Sequence, residues 1–277
     1  MAADSSSLRI GLLGAGRVAS HLGPALWRAG HHVAWVWNRT PAGAATLADQ
    51  IPGAVAATGP DLKLLPPVDL YIVAVPDAAV AAVLAAAALP AGALVVHTAG
   101  ALPLSVFDGF ANLRGGVFYP LQTFSPGRAI DWTTVPLCVE AGAATDEATL
   151  LALARSLSKT VFTVATPQRQ ALHVAAVFAS NFTNHLLGIS HALTQQARVP
   201  FELLHPLIRE TVEKALHHPP FGVQTGPAVR HDSATLDFHR AALAPHPGWL
   251  TVYNELTASI QAQNPGAGAN NGEPSQL

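Results

Sequence analysis

Gly14-Ala15-Gly16-Arg17-Val18-Ala19 has the G-x-G-x-x-G/A spacing of a turn that lets a pyrophosphate reach the backbone. Gly14 permits the tight turn, Gly16 carries no Cβ to block the phosphates, and Ala19 lets the next helix lie close to the strand before it. Arg17 and Val18 open that helix, whose free N–H groups and positive dipole end favour an anion. About twenty residues on, where a ribose 2′-OH would meet Asp or Glu, the chain reads Asn38-Arg39-Thr40. A guanidinium suits a 2′-phosphate and a carboxylate would repel one, so the spacing points to NADP rather than NAD. The alternative is an Arg39 that only solvates a loop.

A second group of residues could handle the proton that accompanies a hydride. His97-Thr98-Ala99-Gly100 follows an apolar run, and His97 at a strand end could donate or accept a proton beside a nicotinamide. A loop histidine bonded to backbone is the alternative. Val75, Pro76 and Thr98 are expected to border the same ring. Tyr119 and Gln122 sit in a third such segment, Tyr119-Pro120-Leu121-Gln122-Thr123-Phe124-Ser125, as weaker substrate-binding candidates, a packing tyrosine and a loop amide being the ordinary reading. Arg230 could hold an anionic substrate group or brace a turn by pairing with Asp232. Thirteen histidines do not make a metal site: His217-His218 and His231 have no companion cysteine and no HExxH spacing. No G-x-S-x-G and no catalytic cysteine context occurs.

These residues need elements to carry them. Leu8–Leu13 is a strand, the helix after the glycine turn ends at Gly30, and His32–Trp37 is a second strand. Thr40–Gln50 is a short helix capped by Thr40, followed by a loop rich in Pro and Gly. Val68–Val75 is a near-continuous apolar strand of the parallel type. Asp77 caps the alanine-rich helix Ala78–Ala88, unless it serves as a polar group beside the cofactor. Strands at Ala93–Val96, Gly116–Phe118, Val135–Glu140 and Val161–Val164, with a helix over Thr145–Leu157, complete a doubly wound, mostly parallel sheet. From Thr166 the period becomes helical. Gln168 to Arg198 holds no proline, so one helix of about 30 residues would run about 45 Å. Val174, Phe178, Phe182, Leu186, Ile189 and Leu193 make it apolar and buried on most sides. His173, Ser180, Asn184 and His191 align in a polar stripe at 100° per residue, with Asn181 beside it. Such groups must be paired, with one another or with something in a cleft. The chain is therefore expected to comprise a Rossmann domain over 1–165, an all-α domain over 166–263 and a disordered tail over 264–277.

Half of the 277 residues are hydrophobic and 12% are charged, enough to bury a core and too apolar for disorder. A net charge of −2 gives no basic footprint for nucleic acid or a membrane surface. The lone Cys138 excludes an internal disulfide and fits a reducing, cytoplasmic setting. Met1–Ser7 lacks the basic and apolar parts of a secretory signal. The most lipid-like stretch, Ala78–Val96, is broken by Pro90 and Gly92.

On the glycine turn, His97-Thr98-Ala99-Gly100, Tyr119-Pro120-Leu121-Gln122-Thr123-Phe124, Ala179-Ser180-Asn181-Phe182-Thr183-Asn184-His185, and Thr225-Gly226-Pro227 with Arg230 and Asp232, the chain resembles the 6-phosphogluconate-dehydrogenase-like superfamily. Within it, it is similar to NADP oxidoreductases of the coenzyme-deazaflavin-dependent type that carry a C-terminal helical domain of unknown function. The resemblance implies an oxidoreductase, a homodimer built through the C-terminal helices, and an active site in the cleft between domains. One departure matters. The hydroxyacid dehydrogenases of the superfamily carry a catalytic lysine four residues before an asparagine on the long helix. Asn181 matches the asparagine, but Val177 stands at the lysine position, and Lys63, Lys159 and Lys214 all lie elsewhere. His173 is the nearest replacement acid. The expected function is NADP(H)-dependent hydride transfer with a small, anionic substrate, with His97, His173 and Asn181 as the catalytic candidates and Asn184 among the substrate contacts. The alternatives are an NADP-binding sensor or scaffold without turnover, and a reductase of a deazaflavin.

Overall fold

The structure is a computed structural model and describes residues 7–57, 62 and 65–265. The tail expected from residue 264 lies almost wholly outside the described residues. The chain divides into two compact units, Met1–Phe182 and Thr183–Leu277.

The first unit is built on an eight-stranded sheet. Its strands are β1 (Arg9–Leu13), β2 (His32–Trp37), β3 (Val55–Ala57), β4 (Leu70–Val73), β5 (Leu94–His97), β6 (Arg114–Pro120), β7 (Leu137–Ala141) and β8 (Val161–Thr163). They lie in the order β3-β2-β1-β4-β5-β6-β7-β8. Every neighbouring pair is parallel except β6 and β7. The helices α1 (Arg17–Arg28), α2 (Pro41–Ala48), α3 (Val80–Ala86), α4 (Ala144–Leu157) and α5 (Thr166–Ala176) connect or follow them. Both faces are dry, as parallel sheets require. Ile10, Leu12, Leu70, Ile72, Val96 and Phe118 pack on one side with Leu22, Leu26 and Leu150. Trp35, Tyr71, Val73 and Val95 pack on the other with Val80, Leu84 and Phe107. The period of two along each strand produces this division. β3 was not expected; it follows Ile51-Pro52-Gly53, where the sequence reads as a loop rich in Pro and Gly.

Two caps differ from expectation. Thr40 occupies the N-cap position of α2 without a side-chain cap, because its Oγ1 accepts a 2.9 Å hydrogen bond from Asn38 Nδ2. Asp77 does not cap α3, because a 3-10 turn over Asp77–Ala79 delays that helix to Val80.

The expected single long helix is interrupted. α5 ends at Ala176, Val177–Phe182 forms a π-helical turn, and the second unit begins with α6 (Thr183–Gln196). A π turn closes i→i+5 bonds, so its residues advance by less than 100° each. The stripe from His173 through Ser180 to Asn184 and His191 therefore loses its register. The sequence-based boundary at 165/166 marks where strands stop, whereas packing holds α5 and the π turn in the first unit. Arg169 on α5 is fully buried and its guanidinium donates to Glu140 on β7 at 2.9 Å.

The second unit continues with α7 (His205–His217), α8 (Ser233–Leu243) and α9 (Pro247–Gln263). Pro206 sits in the first turn of α7, where its missing N–H costs nothing. Asp232 caps α8, with Oδ1 accepting from Thr235 N–H at 3.1 Å and Oδ2 from its hydroxyl at 2.7 Å. These bonds hold the Asp232 carboxyl below the usual carboxylate range. Among the described residues of this unit only Ala228, Leu236, Leu243 and Thr257 are buried. The expectation of a helix buried on most sides fails in the isolated chain: Phe178 is 64% and Phe182 49% exposed. No helix among the described residues is long and apolar enough to cross a membrane.

Candidate active site

The carboxyl ends of β1, β2, β4, β5 and β6 share one rim of the first unit, where ligands of doubly wound sheets sit. At β1, Gly14 takes a φ of +114°. A Cβ there would run into the Ala74 carbonyl oxygen and stand 3.0 Å from Val75 Cγ1. Gly16 differs: a Cβ would find its nearest neighbour, the same oxygen, at 3.8 Å. The fold requires Gly14 to be glycine, and it does not require this of Gly16. Gly16 is also the N-cap of α1, with no side-chain cap and no acidic residue in the first turn. Arg17 is exposed, and Ala15 and Val18 are half-buried. The turn fits an anionic diphosphate.

At β2, Asn38 Nδ2 donates to Thr40 Oγ1 and folds the turn back on itself. A Cβ on Gly43 would crowd this pair, standing 3.1 Å from Thr40 Oγ1. Arg39 is exposed, and its side chain has no hydrogen bond or ion pair to the described residues. At β4, Val75 is half-buried and Pro76 exposed. Thr98 after β5 is buried, and its N–H donates to Val73 O at 3.3 Å.

His97 occupies a different place from the one its position suggested. It is 0% exposed, stacks on Phe107 with ring centroids 5.9 Å apart, and its Nδ1 accepts from Ala99 N–H at 3.2 Å. Its Nε2 has no hydrogen-bond partner. Burial and then the Arg169 charge push its pKa down to about 4, opposed by the Pro103 carbonyl. A sealed, neutral imidazole packs the strand end, bonded to backbone as in the alternative reading of the sequence.

One of two grooves of about 510 Å³ in the first unit lies next to this strand end. Tyr119, Gln122, Thr123, His173, Ser180 and Asn181 supply its polar lining, with Leu121, Leu172 and Val177. The π turn explains how three consecutive residues, Ala179, Ser180 and Asn181, reach one groove. Tyr119 Oη lies 3.1 Å from His173 Nδ1. Gln122 Oε1 is partly occupied, accepting from Thr123 N–H at 2.8 Å. Asn184 and Arg230 belong to the second unit and are exposed. The Arg230 side chain makes no hydrogen bond or ion pair among the described residues, so it does not brace Asp232 by direct contact; its N–H donates to Gly226 O at 3.3 Å. No group of three or more His, Cys, Asp or Glu among the described residues could hold a metal.

Three supporting residues gave no sequence signal of this role, although Gly100 belongs to the His97-Thr98-Ala99-Gly100 motif. Arg169 Nη1 donates to the carbonyls of Ala99, Gly100 and Leu102 at 2.7–3.1 Å. Glu140 accepts from Thr166 N–H at 2.8 Å and from its hydroxyl, closing the start of α5. Gly100 has no Cβ because the rings of His173 and Tyr119 take the space, each with a carbon 2.8 Å from where it would stand. Such partners are distant in sequence and nothing in their local pattern marks them.

Comparison with known proteins divides the chain at a different place from the packing, between residues 121 and 135. Residues 2–121 match the Rossmann-like domain family, and residues 135–260 match a domain of unknown function, DUF2520. A solved structure of a candidate NADP oxidoreductase from Bacteroides fragilis is 38% identical, with 94% of this chain and 100% of that chain covered and a TM-score of 0.85. The chain belongs to this Rossmann–DUF2520 family. The wider fold of the family recurs in two more distant structures. An imine reductase from Myxococcus stipitatus in complex with NAD+ is 18% identical over 93% of this chain and 95% of its own, with a TM-score of 0.62. A reductive aminase from Aspergillus terreus in complex with NADPH and ethyl levulinate is 18% identical over 95% and 96%, with a TM-score of 0.70. No curated protein matches the chain.

Proposed function

We propose that the chain is an NADP(H)-dependent oxidoreductase that moves a hydride to or from a small substrate. The observation that carries this reading is Gly16, a glycine the fold does not need, at the uncapped start of α1. Gly14, Ala15, Gly16, Arg17 and Val18 hold the pyrophosphate, and Asn38, Arg39 and Thr40 the phosphorylated ribose. Val75, Pro76 and the buried Thr98 shape the nicotinamide end. When bound, the reduced nicotinamide supplies the hydride. Tyr119, Gln122, His173 and Asn181 meet the substrate from their groove. The printed ligands of the relatives, NADPH with the reductive aminase and NAD+ with the imine reductase, are compatible with this assignment.

The groove lining contains no Lys, Arg, Asp or Glu. An anionic substrate therefore needs a cation from outside this lining. The exposed apolar side chains of the second unit support a homodimer through the C-terminal helices. The single cysteine, buried and free, suits a cytoplasmic setting.

Fluorescence titration with NADPH and NADH tests the reading. Gly16→Val leaves the melting temperature near that of the wild type, since space surrounds its Cβ, and weakens NADPH binding by about tenfold or more. Arg39→Ala weakens NADPH and leaves NADH unchanged, by about tenfold for a lost charged phosphate contact. NADH binding tighter than NADPH, or equal NADPH binding by Gly16→Val, overturns the assignment.

A further inference from the structure

We propose that Tyr119 exchanges the proton with the substrate and that His173 holds its hydroxyl and reloads it. This rests on the oxidoreductase reading above. It fills the role left open by Val177, which stands where related dehydrogenases carry lysine.

Tyr119 and His173 are the titratable side chains of the groove lining; Gln122, Thr123, Ser180 and Asn181 have no proton to give near neutral pH. The two come from different elements and meet at 3.1 Å. Their rings are edge-on, 6.0 Å apart at 68°. Gly100, two residues beyond Thr98 on the chain leaving β5, gives up the space of a methyl group to both rings. Arg169 fixes that residue by holding its carbonyl at 2.9 Å. The pair is thus held from three sides: by β6, by α5 and by the loop after β5.

Tyr119 stands at the end of β6, at the rim where the strand ends converge, on the sheet face of Val117 and Cys138. Tyr119 is 8% exposed and His173 half-buried, so the phenol is the donor assigned and the more open His173 the group through which it is recharged. The charged and titratable groups around the phenol are Cys138 on β7, Arg169 on α5 and Asp77 after β4. Burial raises its pKa most, Cys138 adds to this, Arg169 opposes it, and Asp77 adds again. The phenol is therefore protonated at neutral pH.

In the reducing direction the substrate's unsaturated carbon takes the hydride with its two electrons. The heteroatom takes the proton from Tyr119 Oη. His173, protonated from solvent, passes its Nδ1 proton to the phenolate and is neutral at the end. Oxidation runs the same transfers backwards.

Two measurements test the pair. The first needs no substrate. Protein labelled with 3-fluorotyrosine holds three tyrosines, Tyr71, Tyr119 and Tyr253, and Tyr119→Phe identifies the Tyr119 fluorine resonance. At alkaline pH a neutral His173 donates to the phenolate more strongly than it accepts from the phenol. His173→Leu, which carries no donor, therefore raises the Tyr119 midpoint by about one pH unit and leaves Tyr253 in place. An unchanged Tyr119 midpoint in a folded His173→Leu protein overturns the proposal. The second measurement uses a panel of ketones, ketoacids and imines with NADPH. Tyr119→Phe lowers kcat by about a hundredfold or more, the usual worth of a general acid, with NADPH affinity unchanged. His173→Asn lowers kcat less and flattens its pH profile. A Tyr119→Phe enzyme within threefold of the wild-type kcat overturns the proposal and leaves the oxidoreductase reading standing. A wild type that binds NADPH but turns over no panel member counts against the reading itself, and the fluorine titration then decides whether the pair exists.

Discussion

His97 is sealed inside the first unit, and its Nε2 has no hydrogen bond. Its worth is packing, against Phe107, and it stays neutral to keep that place. Its pKa falls from 6.5 in the unfolded chain to about 4 in the folded one, so the unfolded state takes up the proton first as pH falls. The stability that depends on neutral His97 is complete above pH 6.5, declines below it and is lost as pH passes about 4. The whole effect is ~3 kcal/mol. Urea denaturation of wild type and His97→Gln across this window checks it: the wild type loses more stability on acidification. Equal losses would show that His97 is not sealed in solution. Its histidine type and strand-end position were legible in the sequence, and its burial was not. Phe107, ten residues away, stacks on the ring, and the Arg169 charge adds to the fall in its pKa.

At the scale of elements, α5 and the loop after β5 depend on each other. Arg169 is buried and bonded to three loop carbonyls, Glu140 and Thr166. Removing one member of such a group strands the others without water. Arg169→Met therefore destabilises by about 3–5 kcal/mol, read as a lower urea midpoint. Arg169→Lys recovers only part of this, because an ammonium cannot reproduce the planar fork. The strands and the first helices could be read from hydrophobic period and glycine placement, since those patterns are local. The π turn could not. Val177–Phe182 has an ordinary helical composition, and no residue in it announces a wider turn. Its effect is large all the same: it sets Ala179, Ser180 and Asn181 together on the groove and breaks the expected stripe toward Asn184.

At the scale of the molecule, the second unit buries few side chains and exposes many apolar ones. Leu203, Leu207, Leu216, Phe221 and Phe238 are each more than 60% exposed. Apolar exposure on this scale marks an interface. Sedimentation equilibrium at micromolar concentration is expected to give twice the 28.7 kDa chain mass. Leu207→Glu with Leu216→Glu shifts the distribution toward the single chain. A wild type that sediments as one chain refutes the homodimer.

What the sequence determined by itself was the fold class, the glycine turn and the neutral, arginine-bearing end of β2. Each rests on neighbours along the chain, whose spacing is written in the order of residues. The tertiary structure alone decided that His97 is closed, that Tyr119 meets His173, and that Gly100 and Arg169 hold them. Those outcomes depend on side chains brought together from β5, β6 and α5, and no local period records which of them will touch.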